Sequence, residues 1–103
     1  MLAIGAYGIV SVAAHIVGTQ IKEMIDAFLD GRGDQAARIH RRLMPLVKAL
    51  FLVSNPAPVK FALNESGMQV GSPRLPLVEP DAETAQKIRA ELARHRIDLP
   101  VTV

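Results

Sequence analysis

Apolar residues crowd the first twenty positions of the chain and then settle into a helical rhythm. Residues 4–12, Ile-Gly-Ala-Tyr-Gly-Ile-Val-Ser-Val, carry β-branched density at Ile9, Val10 and Val12, punctuated by Gly5 and Gly8. No Asp, Glu, Lys or Arg occurs from Met1 to Gln20. A near-continuous apolar run of this length is the pattern of a strand buried on both faces of a parallel sheet. Nothing after it reads as a second strand. A lone strand leaves its own ladder groups unpaired, so the pattern predicts the last strand of a larger barrel or sheet, followed by a helical tail.

Downstream, Val17, Ile21, Met24, Ile25 and Phe28 recur at helical spacing, with Lys22, Glu23, Asp26 and Asp30 mostly off that stripe. Gly31 and Gly33 stop this helix. A second helix begins near Asp34, a good cap. Its expected apolar stripe is Ala36, His40, Leu43, Val47 and Leu50, with Met44 and Phe51 alongside. Pro45 lies inside it, where it removes a hydrogen-bond donor and should bend the helix. Asn55 followed by Pro56 predicts the cap and first residue of a third helix that runs to about Ser66 and ends at Gly67. Residues 71–80, with Pro73, Pro76 and Pro80, read as an extended loop. A fourth helix starts near Asp81 and carries Ala85, Ile88 and Leu92. The tail from Asp98, with Pro100, reads as irregular. One strand–helix pair followed by three helices predicts a terminal βα unit with a helical appendage.

Composition narrows the function classes. At 103 residues, 50% hydrophobic and 21% charged, the chain is an ordered domain or part of one. Its mean hydropathy of +0.23 suits a piece of a larger core. It has no cysteine, which excludes disulfides and thiolate metal sites. The net charge of +2 is too small for an electrostatic nucleic-acid platform, and aromatic residues are 4% of the chain. The apolar opening lacks the basic flank of a signal peptide and is too short and glycine-interrupted for a membrane span.

The candidate chemistry is sparse. Gly5-Ala-Tyr-Gly8 lacks the third glycine of a dinucleotide loop and lies within the strand, so its glycines read as permitting close backbone approach. His15, His40 and His95 have no metal-ligand spacing. His40 falls on the apolar stripe and reads as a core or interface residue. His15 lies just past the strand, at what would be a barrel's functional rim. Arg38, Arg41 and Arg42 read as a solvated face with ion pairs to Asp34 or Glu23. Glu23, Asp26 and Asp30 read as helix solvation rather than an acid–base pair. Ser11 lacks a base to activate it, and Lys60, the tempting imine-forming amine, sits within a helix. No catalytic residue and no metal ligand is assigned.

Several blocks carry a resemblance. Gly5-Ala-Tyr-Gly-Ile-Val-Ser-Val12, Leu43-Met-Pro-Leu46, Lys48-Ala-Leu-Phe51, Asn55-Pro-Ala-Pro-Val-Lys60 and Arg74-Leu-Pro-Leu77 stand in the order and at the spacing of the dihydrodipicolinate synthase family. The similarity runs to about His95, and the Asn55–Lys60 block is its most specific part. The resemblance implies an α/β fold: the last strand and helix of a (β/α)8 TIM barrel, plus a three-helix carboxy-terminal extension. Residues 1–31 would be the eighth strand and eighth helix, and residues 32–103 the extension, so that the isolated chain is mostly α. It implies a Schiff-base lyase that condenses pyruvate with aspartate 4-semialdehyde, without a cofactor, in lysine and diaminopimelate synthesis. The enzyme would be a cytoplasmic homotetramer with no nucleic-acid or membrane partner.

In that family the imine-forming lysine, the catalytic tyrosines and the threonine that grips the substrate carboxylate precede the eighth strand. This chain is therefore expected to be a carboxy-terminal fragment, inactive by itself. One contact carries over: the main chain of Val10, in Gly8-Ile-Val-Ser11, would line the pyruvate pocket. His15 replaces a family asparagine. The alternatives are a stand-alone helical interaction module, or a piece of a sibling pyruvate-dependent aldolase such as N-acetylneuraminate lyase, against which the Asn55–Lys60 block argues.

Overall fold

A computed structural model describes residues 1–99. Its helices are α1 (Ala14–Leu29), α2 (Gly33–Ala49), α3 (Ala57–Glu65) and α4 (Ala82–Arg94), preceded by a short 3-10 turn at Leu2–Ile4. The order matches the helices read from periodicity. The strand expected over residues 4–12 does not form within this chain, and the described residues contain no strand. Gly5 closes the 3-10 turn with φ 99°, a left-handed conformation that suits glycine. Residues 6–11 are irregular and largely exposed. The physical reason is the one that singled the segment out: a strand exists only as a member of a ladder, and none of the described residues supplies the partner. A Cβ placed on Gly8 would meet nothing within 4 Å, so the crowding expected around the glycines is not supplied by this chain either.

Helix α1 begins one turn earlier than its stripe predicted and is kinked at Val17, whose φ of −128° and ψ of 35° are not helical. At its other end Gly31, with φ 80°, follows the last turn, and the Arg32 N–H reaches back to the Ala27 carbonyl at 2.8 Å. Helix α3 ends in the same way. Gly67 has φ 93°, and the Met68 N–H donates to the Leu63 carbonyl at 3.0 Å. Both are glycine-dependent terminations that occupy otherwise unpaired carbonyls.

The start of α3 departs from the expectation. Pro56 occupies the cap position and no side chain caps the helix, so Asn55 is not its cap. The helix starts one residue late for that, because its first turn is built on Ala57 and Pro58, and Pro58 has no N–H that needs a cap. Helix α4 starts where expected and is capped by Asp81, whose Oδ1 accepts from the Thr84 N–H at 2.8 Å. That bond is the main reason the Asp81 carboxyl is held below the usual aspartate range.

Helix α1 packs along α2, α4 packs against both α2 and α3, and α1 also touches α3. Their common core contains Ile16, Val17 and Ile21 from α1, Ile39, Leu43 and Leu46 from α2, Val59 and Leu63 from α3, and Ile88 from α4. The stripe of α2 is shifted from the one expected. Ile39 and Leu46 are buried, while His40 is exposed and is not a core residue. A ridge through 36, 39, 43, 46 and 50 keeps all five positions apolar, which the ridge through 40 and 47 does not. Pro45 lies on the exposed side and α2 continues through it. Between α3 and α4, Arg89 donates two hydrogen bonds to Glu65, at 2.8 and 3.1 Å, and lies 5.0 Å over the Phe61 ring. The paired guanidinium holds the Glu65 carboxyl below its ordinary value.

Candidate functional site

Residues 7–11 lead into α1 and carry the one pocket residue the sequence singled out. Val10 is fully exposed, and Tyr7 (87%) and Ile9 (60%) stand beside it in solvent. An apolar triplet does not stay in water without a partner at little free-energy cost, at about 25 cal/mol for each Å² left wet. The segment is held only at its ends. At its start the Ala6 N–H donates to the Met1 carbonyl at 3.2 Å. At its end Ser11, Val12 and Ala13 accept from Ala14, His15 and Ile16 in a tight first turn.

That first turn is anchored from far along the chain. In a regular helix the Gln20 N–H would pair with the Ile16 carbonyl. Here the Ile16 carbonyl accepts from the Asp98 N–H at 2.9 Å, while the Gln20 N–H donates to Asp98 Oδ2 at 3.0 Å. Asp98 thus inserts its own donor and acceptor at the Val17 kink, a recognised cause of a sharp bend. The Gln20 side chain, 2% exposed, completes the joint. Its Nε2 donates to Asp98 Oδ1 at 3.1 Å and to the Arg96 carbonyl at 2.7 Å, and its Oε1 accepts from Arg42 at 3.2 Å.

His95 adds a second tie. Its ring nitrogens lie 2.7 Å from the Glu91 carbonyl oxygen and 2.8 Å from that of Arg42, so α4 is fastened to α2. Beside it Glu91 Oε2 is buried and accepts no hydrogen bond among the described residues. Gln20, Glu23, Arg42, Arg94, His95 and Arg96 line a cleft of about 340 Å³ over this joint.

Other candidates disperse. His15 is exposed at the start of α1, and among the described residues its side chain forms no hydrogen bond or ion pair. Lys60 Nζ donates to the Ser72 carbonyl at 2.8 Å, which ties down the loop after α3 together with the Asn64 side chain. Lys22 pairs with Asp26 and Lys87 with Glu83. Arg38 and Arg41 are exposed as expected, but the predicted ion pairs to Asp34 and Glu23 are not made by this cluster. Arg42 turns to Gln20, and Glu23 faces Arg96 at 3.6 Å. Among the described residues no three of His, Cys, Asp and Glu gather in a way that could hold a metal ion.

Sequence reasoning missed Gln20 and Asp98. The signal for Gln20 was present: one polar residue on the α1 face that also carries Val17, Ile21 and Met24. Asp98 opens a tail read only as irregular; residues 100–103 of that tail lie outside the described residues.

With this geometry in place, likeness to known proteins is informative. Residues 1–95 match the dihydrodipicolinate synthetase family. A 4-hydroxy-tetrahydrodipicolinate synthase from Dehalococcoides mccartyi is 58% identical over 98% of the chain and 34% of its own length. One from Listeria monocytogenes is 52% identical over 89% of the chain and 31% of its length. The crystal structure of a dihydrodipicolinate synthase from Cyanidioschyzon merolae with lysine bound superposes with a TM-score of 0.88 at 44% identity, covering 90% of this chain and 32% of that one. The chain spans about a third of the length of the relatives it matches. No helix among the described residues is long and apolar enough to cross a membrane.

Proposed function

The chain belongs to the dihydrodipicolinate synthetase family, and from that membership we propose that it forms the carboxy-terminal third of a 4-hydroxy-tetrahydrodipicolinate synthase. In this reading residues 1–31 supply the eighth strand and helix of the barrel, and residues 32–103 the helical extension. The whole enzyme condenses pyruvate with aspartate 4-semialdehyde through an imine on a lysine that lies outside these residues. It works as a cytoplasmic homotetramer in lysine and diaminopimelate synthesis. The chain alone is inactive.

One observation carries the reading: the segment left without a partner here is the segment a barrel would pair. Residues 7–11 are exposed and apolar, whereas the helices that follow close a core of their own. Barrel active sites lie at the carboxy-terminal ends of strands. Val10 sits near that end of the proposed strand, and its main chain lines the pyruvate pocket. Gly8, two residues earlier, falls on the same strand face and leaves bare backbone there. A carbonyl oxygen aimed at a pyruvate-derived iminium stabilises its positive charge without needing a side chain.

The test uses a full-length synthase containing this chain. Val10→Ile should leave pyruvate affinity within about twofold, because the proposed contact is made by the main chain, which the substitution leaves unchanged. Gly8→Val should weaken pyruvate at least about tenfold, because bulk enters a filled barrel and displaces the carbonyl. Strong loss in Val10→Ile with Gly8→Val tolerated would show that a side chain, not the backbone, contacts pyruvate.

A further inference from the structure

The kink at Val17 divides α1 into a short turn, continuous with residues 7–13, and the long helix behind it. What fixes the angle between the two is Asp98. Its backbone N–H holds the carbonyl of Ile16, just before the kink, and its carboxylate holds the N–H of Gln20, three residues beyond it. The main-chain bond fastens residue 98 to the short turn, and the carboxylate then ties that point to the long helix. Bonding to both sides of a kink makes the residue a brace.

The surroundings support a fixed geometry. The Asp98 side chain is 9% exposed, and Gln20 Nε2 satisfies its second oxygen. The charged groups around it are Arg96, 3.4 Å away on its own segment, Arg42 from α2 through Gln20, and Glu23 from α1 facing Arg96. Two buried core residues, Ala13 and Ile16, belong to the short turn, so its inner side is already packed. A swing of the turn about Val17 would break the Asp98 bonds on one side of the kink.

We propose that Asp98 is a positioning residue for the condensation: by bracing the Val17 kink it sets how the turn after the eighth strand, and with it the Val10 main chain, meets the pyruvate-derived intermediate. The inference rests on the proposed pyruvate contact. It adds that a residue 88 positions from Val10 in sequence governs that contact without touching substrate.

Asp98→Ala and Asp98→Asn in a full-length synthase containing this chain test it, with separate KM values for the two substrates. Asp98→Ala removes both side-chain acceptors and keeps the backbone bond to Ile16. Displacing a positioned group by an ångström can cost up to about a hundredfold, and a partial swing should raise the pyruvate KM about fivefold. The KM for aspartate semialdehyde should stay within about twofold, because the second substrate does not use the Val10 contact. Asp98→Asn keeps one oxygen and should recover most of the loss.

A merely structural role predicts a different split: a lower melting temperature and fewer active molecules, with the pyruvate KM unmoved. That result in both variants overturns the proposal. Gly8→Val separates the two ideas. If Gly8→Val weakens pyruvate while the Asp98 variants do not, the brace is wrong and the pocket reading stands. If Gly8→Val also has no effect, the pocket reading is wrong and the brace falls with it.

Discussion

Asp81 accepts the Thr84 N–H at the start of α4, and this bond favours its ionised form. A carboxyl held below its unfolded value of about 3.8 stabilises the helix above that value. The contribution is complete at neutral pH and is lost as pH falls below about 3.8 through the lower folded-state value. A serine at the same position caps without titrating. Asp81→Ser should therefore match the parent protein in helical ellipticity at pH 7 and exceed it in acid, once the pH has fallen far enough below 3.8 for the aspartate to lose its charge. Acid curves that run parallel down to pH ~2 would mean the cap carries no charge dependence. In the core, Leu46 is fully buried on α2, and Leu46→Ala should cost about 3 kcal/mol in denaturant unfolding, the usual penalty for a cavity of that size. At this scale the sequence was readable where chemistry is local. Asp81 marked the start of α4, and its partner is only three residues away. Asp98 gave no such mark, because its partners are Ile16 and Gln20, and only the folded chain brings them together.

Helix ends show how element boundaries follow from a few residues. Gly31 has φ 80°, and a Cβ there would meet nothing within 4 Å. Gly31→Ala should thus destabilise by about 1 kcal/mol through backbone conformation alone, with no clash to relieve. Asn55 makes the opposite prediction. It caps nothing in α3, so Asn55→Ala should change stability by less than about 0.5 kcal/mol, the ordinary range for a surface substitution. A loss near 1 kcal/mol would place a cap bond there after all. The four helices were legible from their apolar spacing, since a 3.6-residue period survives any tertiary context. The phase of α2 was not. His40 and Val47 lie one position from Ile39 and Leu46, and a single-residue rotation about the helix axis exchanges the two ridges. The neighbouring surfaces of α1 and α4 select between them, and those are tertiary facts. The kink in α1 was equally invisible, because neither proline nor a glycine pair marks Val17.

For the whole molecule, one part is self-sufficient and one is not. The helices bury their own apolar faces, whereas Ile4, Tyr7, Ile9 and Val10 remain in solvent. Unpaired backbone beside exposed β-branched side chains templates association. The purified chain should be strongly helical by circular dichroism and should self-associate as concentration rises. Replacing both Ile9 and Val10 by Lys should reduce that association without loss of helicity. A monomer at all concentrations would show that residues 4–12 are covered in some other way. The same imbalance was legible in the sequence as an apolar strand pattern with no second strand, whereas the barrel came from the resemblance carried by the motifs.

Borohydride trapping with pyruvate, read by mass spectrometry, tests the central claim most directly. It should be run on the chain alone and on the chain joined to the preceding two-thirds of a family relative. Imine chemistry needs a lysine whose amine is activated at the barrel mouth. Lys60 is bound to the Ser72 carbonyl, Lys22 and Lys87 are paired with carboxylates, and Lys48 is exposed on α2. The account predicts no adduct on the chain alone. In the joined protein it predicts one pyruvate-derived adduct, on a lysine outside these 103 residues. A stoichiometric adduct on Lys22, Lys48, Lys60 or Lys87 of the chain alone would contradict it.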